Sequence, residues 1–196
     1  MEVFLNGEWI PEEQAQVSAF DRGFLYGDGV FETIRIYQGH PFLLERHLGR
    51  LAHGLSGLHI EDPFSFDEWT AHCRELIARN KVSDGILRLH ITRGTGKRGY
   101  SSMGCGAPTV LISLHDAPPV ADPKTCVNII TATGILSDHD PLSTFKTANK
   151  LVNIIAMREA EQAEAHDALL LNRNGHATET AASNIFAVLD NDLATP

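Results

Sequence analysis

Val30-Phe31-Glu32-Thr33-Ile34-Arg35-Ile36-Tyr37 is a β-branched and aromatic run, and it is followed at once by a turn and a helix. Such residues suit a pleated, half-buried surface, so the run reads as a strand. Gln38-Gly39 turns the chain back into Pro41-Phe42-Leu43. From about Leu44 to Leu58, Leu44, Leu48, Leu51 and Leu55 recur at helical spacing. Upstream, Val3 to Leu5 and Glu8 to Ile10 flank Asn6-Gly7, the favoured type I′ hairpin turn. Downstream, Ser65 with Glu68 three residues on forms a capping box that opens a helix running to about Asn80. Strands follow at Ile86 to Arg93 and Pro108 to Leu114. They enclose a glycine-rich loop, Gly94-Thr95-Gly96-Lys97-Arg98-Gly99-Tyr100-Ser101.

Asp116 to Pro123 holds Pro118, Pro119 and Pro123 and reads as a linker, because proline favours extended backbone and stops regular structure. Beyond it lie an expected strand at Thr125 to Thr133, a polar loop, a helix at about Thr147 to Ala165, and strands at Asp167 to Leu171 and Ile185 to Val188. The pattern is α+β in two parts: 1–117, a linker at 118–124, and 125–196. One helix and three or four strands over about 70 residues make a marginal core, so the second part reads as incomplete.

The chain has 196 residues, 43% of them hydrophobic, and a net charge of −9. That charge argues against nucleic acid as the main partner. If the ligand is an anion, the few basic residues must be focused at a site. No long uncharged apolar run marks a membrane helix, and the first residues lack a signal-peptide pattern. Cys73, Cys105 and Cys126, odd in number and widely spaced, point to reduced thiols in a cytoplasmic protein. The ten histidines contain no His-Glu-x-x-His, and neither Cys-x-x-Cys nor Gly-x-Ser-x-Gly occurs. No metal site is expected, and a serine hydrolase is disfavoured.

Two residues stand out for chemistry. Lys146, at the expected start of a helix, is a candidate for holding a carbonyl cofactor as a Schiff base. Glu179 is a candidate for keeping a pyridine nitrogen protonated. Lys146 and Lys150 are expected one helical turn apart on a shared face. Read alone, Lys146 fits an ordinary solvated helix start equally well, and Glu179 reads as a surface loop glutamate. Arg46 and Arg50 alone read as exposed helix charges. The loop from Arg93 to Ser101 fits a carboxylate clamp, through Arg93, Lys97, Arg98 and Tyr100, or a plain hairpin loop. Asp28 and Glu32 form a possible carboxylate pair. His47, His53 and His59 keep no common helix face and read as surface or partly packed.

Taken in order, these segments resemble the class IV aminotransferases, the fold-type IV pyridoxal-phosphate enzymes. Phe20-Asp21-Arg22-Gly23-Phe24-Leu25-Tyr26-Gly27-Asp28-Gly29-Val30-Phe31-Glu32-Thr33-Ile34-Arg35 is similar to the family's N-terminal signature. Glu45-Arg46-His47-Leu48-Gly49-Arg50-Leu51 is similar to the helix with its phosphate-binding arginine, and Thr178-Glu179 through Ser183-Asn184-Ile185-Phe186 to its pyridine-binding segment. The resemblance implies a two-domain fold with the second domain truncated, since the family continues past Pro196. It also implies pyridoxal 5'-phosphate as cofactor and a homodimer. Lys146 would be the catalytic lysine. Arg50, Lys146, Glu179, Thr180, Ser183 and Asn184 would bind the cofactor, and Phe31, Arg98 and Tyr100 the substrate, a small amino compound with a carboxylate.

Arg93 to Ser101 is similar to the loop of 4-amino-4-deoxychorismate lyases, which make 4-aminobenzoate and pyruvate for folate synthesis. Thr147-Ala148-Asn149-Lys150-Leu151 lacks the tyrosine that branched-chain aminotransferases carry after the lysine. Both features favour the lyase. The rival expectations are a branched-chain or D-amino-acid aminotransferase, and a catalytically inactive truncated domain that acts only by association.

Overall fold

The computed structural model describes residues 1–119, 122, 124–136 and 141–196. The middle of the expected linker and part of the polar loop ahead of Lys146 lie outside them. The chain forms two compact units. The first is Met1–Pro119 with Thr144–Asn149, and the second is Val120–Ser143 with Lys150–Pro196. Thr144–Asn149 was expected with the C-terminal part; it groups with the N-terminal unit because its backbone pairs there.

In the first unit, β1 (Glu2–Leu5), β2 (Glu8–Pro11), β3 (Gly29–Tyr37), β4 (His40–Pro41), β5 (Gly85–Thr92) and β6 (Thr109–His115) form one antiparallel sheet in the order β2-β1-β6-β5-β3-β4. Both tight turns have the backbone their sequences call for. Asn6 and Gly7 have φ of 51° and 97°, and Gln38 and Gly39 have 49° and 77°, the positive values a type I′ turn requires. A short helix, α1 (Arg22–Tyr26), precedes β3, capped by Asp21, whose side chain accepts from the Gly23 amide.

Two long helices cover one face of the sheet. On α2 (Leu44–Gly57) the buried residues are Leu44, Leu48, Leu51, Gly54 and Leu55, the stripe read from the sequence. Gly54 lets this helix approach β3, since a Cβ there would stand 3.0 Å from Val30 Cγ1. On α3 (Phe66–Asn80) both halves of the Ser65–Glu68 capping box are made. Trp69, Cys73, Leu76 and Ile77 join Val30, Ile34, Ile36, Leu87, Leu89 and Ile91 in the core. Burial pushes the Cys73 thiol up to about 12, and all three cysteines are free.

In the second unit, β7 (Ile129–Leu136) runs parallel to β8 (Asp167–Asn172), with α4 (Leu151–Gln162) between them in sequence. β9 (Ala177–Thr180) pairs antiparallel with β8, and β10 (Ala187–Leu189) with β11 (Asp192–Ala194) makes a separate hairpin. The core is small-residue packing: Ala132, Ala156, Ala160, Ala168, Leu170 and Ala181.

Three expectations change. The strand expected at Thr125 to Thr133 starts four residues later and ends three residues later, at Ile129–Leu136. Glu179 lies on a strand, not in a loop. The helix expected from Thr147 starts at Leu151, because the Phe31 amide donates to the Lys146 carbonyl at 3.0 Å and the Ala148 amide to the Gly29 carbonyl at 2.8 Å. Thr147 forms an antiparallel bridge to Val30. Backbone groups engaged with β3 cannot also open a helix, so tertiary pairing overrides local propensity. Lys146 and Lys150 therefore do not share a helix face.

Candidate active site

Strand alternation sorts the first unit's polar residues onto two faces. Val30, Ile34 and Ile36 point into the core, and Glu32 points the same way, under α2. Phe31 points to the opposite face. There it lies directly across from His90 on β5, and Thr33 lies across from Arg88. Arg88 is thus the diagonal neighbour of Phe31.

Lys146 arrives beside Phe31 through the bridge just described. Its Nζ stands 4.7 Å from the centre of the Phe31 ring. The Arg88 guanidinium carbon stands 4.3 Å from the same ring centre, and the His90 ring 6.3 Å away. An amine and a guanidinium over one aromatic ring are each held by its quadrupole. Arg88 has no anionic side chain bonded to it among the described residues, and burial pushes its guanidinium down. The His90 imidazole is pushed down by burial first and then by the Arg88 charge. This face therefore sets a guanidinium and an amine against one ring, with no carboxylate bonded to Arg88 among the described residues. Sequence reasoning missed Arg88, although the alternation Ile86-Leu87-Arg88-Leu89-His90-Ile91 carries the signal of a polar pair on one strand face.

On the core face, Glu32 is fully buried and takes three charge-assisted contacts. Arg50 donates from Nε at 2.5 Å and from Nη2 at 2.7 Å, and His47 Nδ1 lies 2.8 Å away. Burial alone would push this carboxyl up. Arg50 and then His47 more than offset it, and Glu32 is held below the usual carboxylate range. Arg50 is correspondingly raised. Its side chain is 49% exposed, and Nη1 has no protein partner among the described residues. Arg50 is exposed on its helix as expected, but its guanidinium is anchored on one edge by Glu32 and open on the other.

Asp28 and Glu32 do not form a carboxylate pair. Asp28 lies between Arg22 Nε and Arg93 Nε, each at 2.8 Å. Burial would raise its pKa, but Arg93 and then Arg22 hold it low. Arg93 also donates to the carbonyls of Leu58 and His59, so it is a structural brace and not part of an open clamp. Arg22 is buried, and its Nη groups donate to the carbonyls of Gly99, Tyr100 and Ser101 at 2.9, 3.2 and 3.2 Å. The Gly99 amide donates to Tyr26 Oη, and the Tyr26 and Tyr100 rings meet edge to face. The loop backbone is thus fastened from below, while Arg98 and Tyr100 project outward, Tyr100 with 86% of its surface exposed.

The remaining candidates lie in the second unit. Glu179, opposite Leu170 on β8, accepts from Asn153 Nδ2 at its Oε1. The Thr180 hydroxyl lies 2.6 Å from Asp167 Oδ2, and the Ser183 amide donates to it at 2.9 Å, closing a turn. Ser183 and Asn184 are exposed. Phe31, Arg50, Lys146, Arg98 and Tyr100 therefore belong to one unit, and Glu179, Thr180, Ser183 and Asn184 to the other.

Comparison with known proteins gives a consistent family. The family model described as amino-transferase class IV matches residues 29–196. A Methanocaldococcus jannaschii protein, provisionally named a branched-chain-amino-acid aminotransferase, is 36% identical over 100% of this chain and 68% of its own length. An aminodeoxychorismate lyase of Bacillus subtilis is 33% identical over 94% of this chain and 63% of its own. The chain thus spans about two thirds of the length of these relatives. Among solved structures, the 4-amino-4-deoxychorismate lyase of Pseudomonas aeruginosa superposes with a TM-score of 0.83 at 32% identity, covering 99% of this chain and 70% of that one. The T.th. branched-chain amino acid aminotransferase with pyridoxamine 5'-phosphate gives 0.90 at 25% identity, covering 99% and 67%.

Proposed function

The chain belongs to the class IV aminotransferase family, and on that basis we propose its function. It is a pyridoxal-phosphate enzyme acting on a small amino substrate that bears a carboxylate. Its reaction is the 4-amino-4-deoxychorismate lyase reaction, which yields 4-aminobenzoate and pyruvate. The observation that carries this reading is the Phe31 ring with the Lys146 amine 4.7 Å from its centre and the Arg88 guanidinium carbon at 4.3 Å. A guanidinium with no carboxylate partner among the described residues, next to an amine, suits a substrate that brings a carboxylate and an amino group together.

The residues fit the cofactor by the chemistry of their donors. Lys146 supplies an amine. Glu179 supplies a carboxylate whose Oε2 takes no hydrogen bond among the described residues. Arg50 supplies an Nη1 donor outside its contact with Glu32. When bound, pyridoxal phosphate supplies a carbonyl that condenses with amines and a protonated ring that withdraws electrons. In this reading Lys146 Nζ would hold that carbonyl, and its amine would serve as the general base for the substrate's α-proton. Glu179 would keep the ring nitrogen protonated, Arg50 would grip the phosphate, and Thr180, Ser183 and Asn184 would line the cofactor. Phe31, Arg98 and Tyr100 contact the substrate. In the lyase, the Lys146 ammonium would pass that proton to the departing enolpyruvyl group. In an aminotransferase the same amine would return the proton, and hydrolysis by one water would release a keto acid.

The lyase assignment is supported by the Arg98-Gly99-Tyr100-Ser101 loop, fastened so that both side chains project. The 36% identical relative favours the second reading, an aminotransferase for branched-chain or D-amino acids. Residues 1–117 and 125–196 make up the two domains, joined by 118–124, except that Thr144–Asn149 belongs with the first. A cytoplasmic homodimer completes the proposal, and the exposed Phe20, Phe24 and Met103 of the first unit support a partner surface.

Reduction with borohydride after addition of pyridoxal phosphate, followed by peptide mapping, tests the anchor. Lys146 is the expected label, and labelling of Lys150 instead rules the assignment out. Pyruvate released from 4-amino-4-deoxychorismate distinguishes the lyase from the aminotransferase, which forms a keto acid from an amino acid.

A further inference from the structure

Glu179 is held by Asn153, a residue outside the proposed cofactor and substrate contacts. Asn153 occupies the first turn of α4, and its Nδ2 donates to Glu179 Oε1 at 3.2 Å and to the Ala181 carbonyl at 3.1 Å. The two partners are acceptors only: an ionised carboxylate and a backbone carbonyl. Nitrogen and not oxygen must therefore face them, which fixes the orientation of the amide. Both amide protons are used, one on the glutamate and one two residues beyond it, so a single side chain ties the start of α4 to the end of β9. A glutamate has rotamer freedom to lose. With Oε1 pinned, its remaining oxygen is presented in one direction.

We propose that Asn153 is the positioning residue for Glu179, presenting Oε2 to the cofactor's ring nitrogen. This rests on the assignment of Glu179 as the pyridine-binding carboxylate. An aspartate at 153 would set a carboxylate against two acceptors and turn Glu179 away, whereas alanine would merely release it.

The test uses the full chain with added pyridoxal phosphate and reads two quantities besides turnover: the dissociation constant for the cofactor, and the visible absorption band with its pH dependence. Asn153→Ala is expected to weaken cofactor binding about tenfold, the scale of one hydrogen bond to a charged group, and to shift the band. Borohydride labelling at Lys146 is retained. Asn153→Asp is expected to weaken binding further. In a Glu179→Gln background the effect of Asn153→Ala should largely vanish, because the carboxylate that Asn153 orients has been replaced by a neutral amide. An undiminished effect in that background overturns the proposal, since it would mean that Asn153 acts only through packing or through Ala181. Glu179→Gln altering the band while Asn153→Ala leaves it unchanged overturns this proposal alone. Glu179→Gln leaving both quantities unchanged overturns the reading of Glu179 and this proposal with it. If Asn153→Ala does not fold by circular dichroism, Asn153→Ser carries the same comparison.

Discussion

Replacing Arg50 by alanine strips two of the three contacts from a carboxylate with no solvent exposure, leaving Glu32 with His47 alone. Removing one partner of a fully buried ion pair costs roughly 3–5 kcal/mol. Here the guanidinium is 49% exposed, so water can enter where it stood, and His47 stays at 2.8 Å. The expected loss is about 2 kcal/mol after that discount. In a chain of this size that lowers the thermal midpoint by roughly 4–8 °C.

The pH dependence has a definite sign. In the wild type, Glu32 is held low in the folded state. Its stabilisation is complete above the ordinary carboxyl range and is lost as pH falls through the folded value. In the variant, burial is the dominant influence and pushes Glu32 up, so its penalty fades as pH falls and the carboxyl takes up a proton. The stability gap between the two proteins should be widest near pH 8 and narrow toward pH 4. Urea unfolding without added cofactor measures it. Arg50→Lys should recover less than half the gap, because an ammonium cannot reproduce the two-pronged contact. A gap below about 0.5 kcal/mol at pH 8, or one that widens as pH falls, refutes the reasoning.

Gly29→Ala would place a Cβ 2.4 Å from the Ile91 carbonyl oxygen and 3.0 Å from Thr92 Cα; expected destabilisation is about 1–3 kcal/mol, with loss of amide-exchange protection along β3 and β5, and a neutral thermal melt counts against it. Arg22→Ala frees the carbonyls of Gly99, Tyr100 and Ser101, so trypsin should cut after Lys97 or Arg98 several-fold faster; equal cleavage rates would show that Arg22 does not hold the loop. Ser65→Ala removes one half of an observed capping box and should cost about 1 kcal/mol in urea unfolding, with no change in cofactor labelling.

Much of the first unit was legible because its signals are local. The leucine stripe of α2, the Ser65–Glu68 cap and the Asn6-Gly7 turn each depend on residues a few positions apart. The second unit was read less well. Its β7 is shifted, and β9 is a four-residue strand of threonine, alanine and glutamate with no periodicity to detect. The candidate site divides in the same way. Lys146, Glu179 and Arg50 were visible as residue types in a recognisable order, but Arg88 and Asn153 were not singled out.

By itself the sequence determined the α+β class, the main helices and hairpins, and the family, because periodicity, caps, turns and motif order are all written along the chain. Only the tertiary structure decided what those residues face. Lys146 leaves the helix expected of it and pairs with β3, which brings it to the Phe31 ring. Arg50 reaches back 18 positions to the buried Glu32, and Arg22 reaches 77 positions ahead to the glycine loop. Hydrogen bonds over such separations leave no local pattern. They follow from which backbone groups and buried charges the fold brings together and must satisfy.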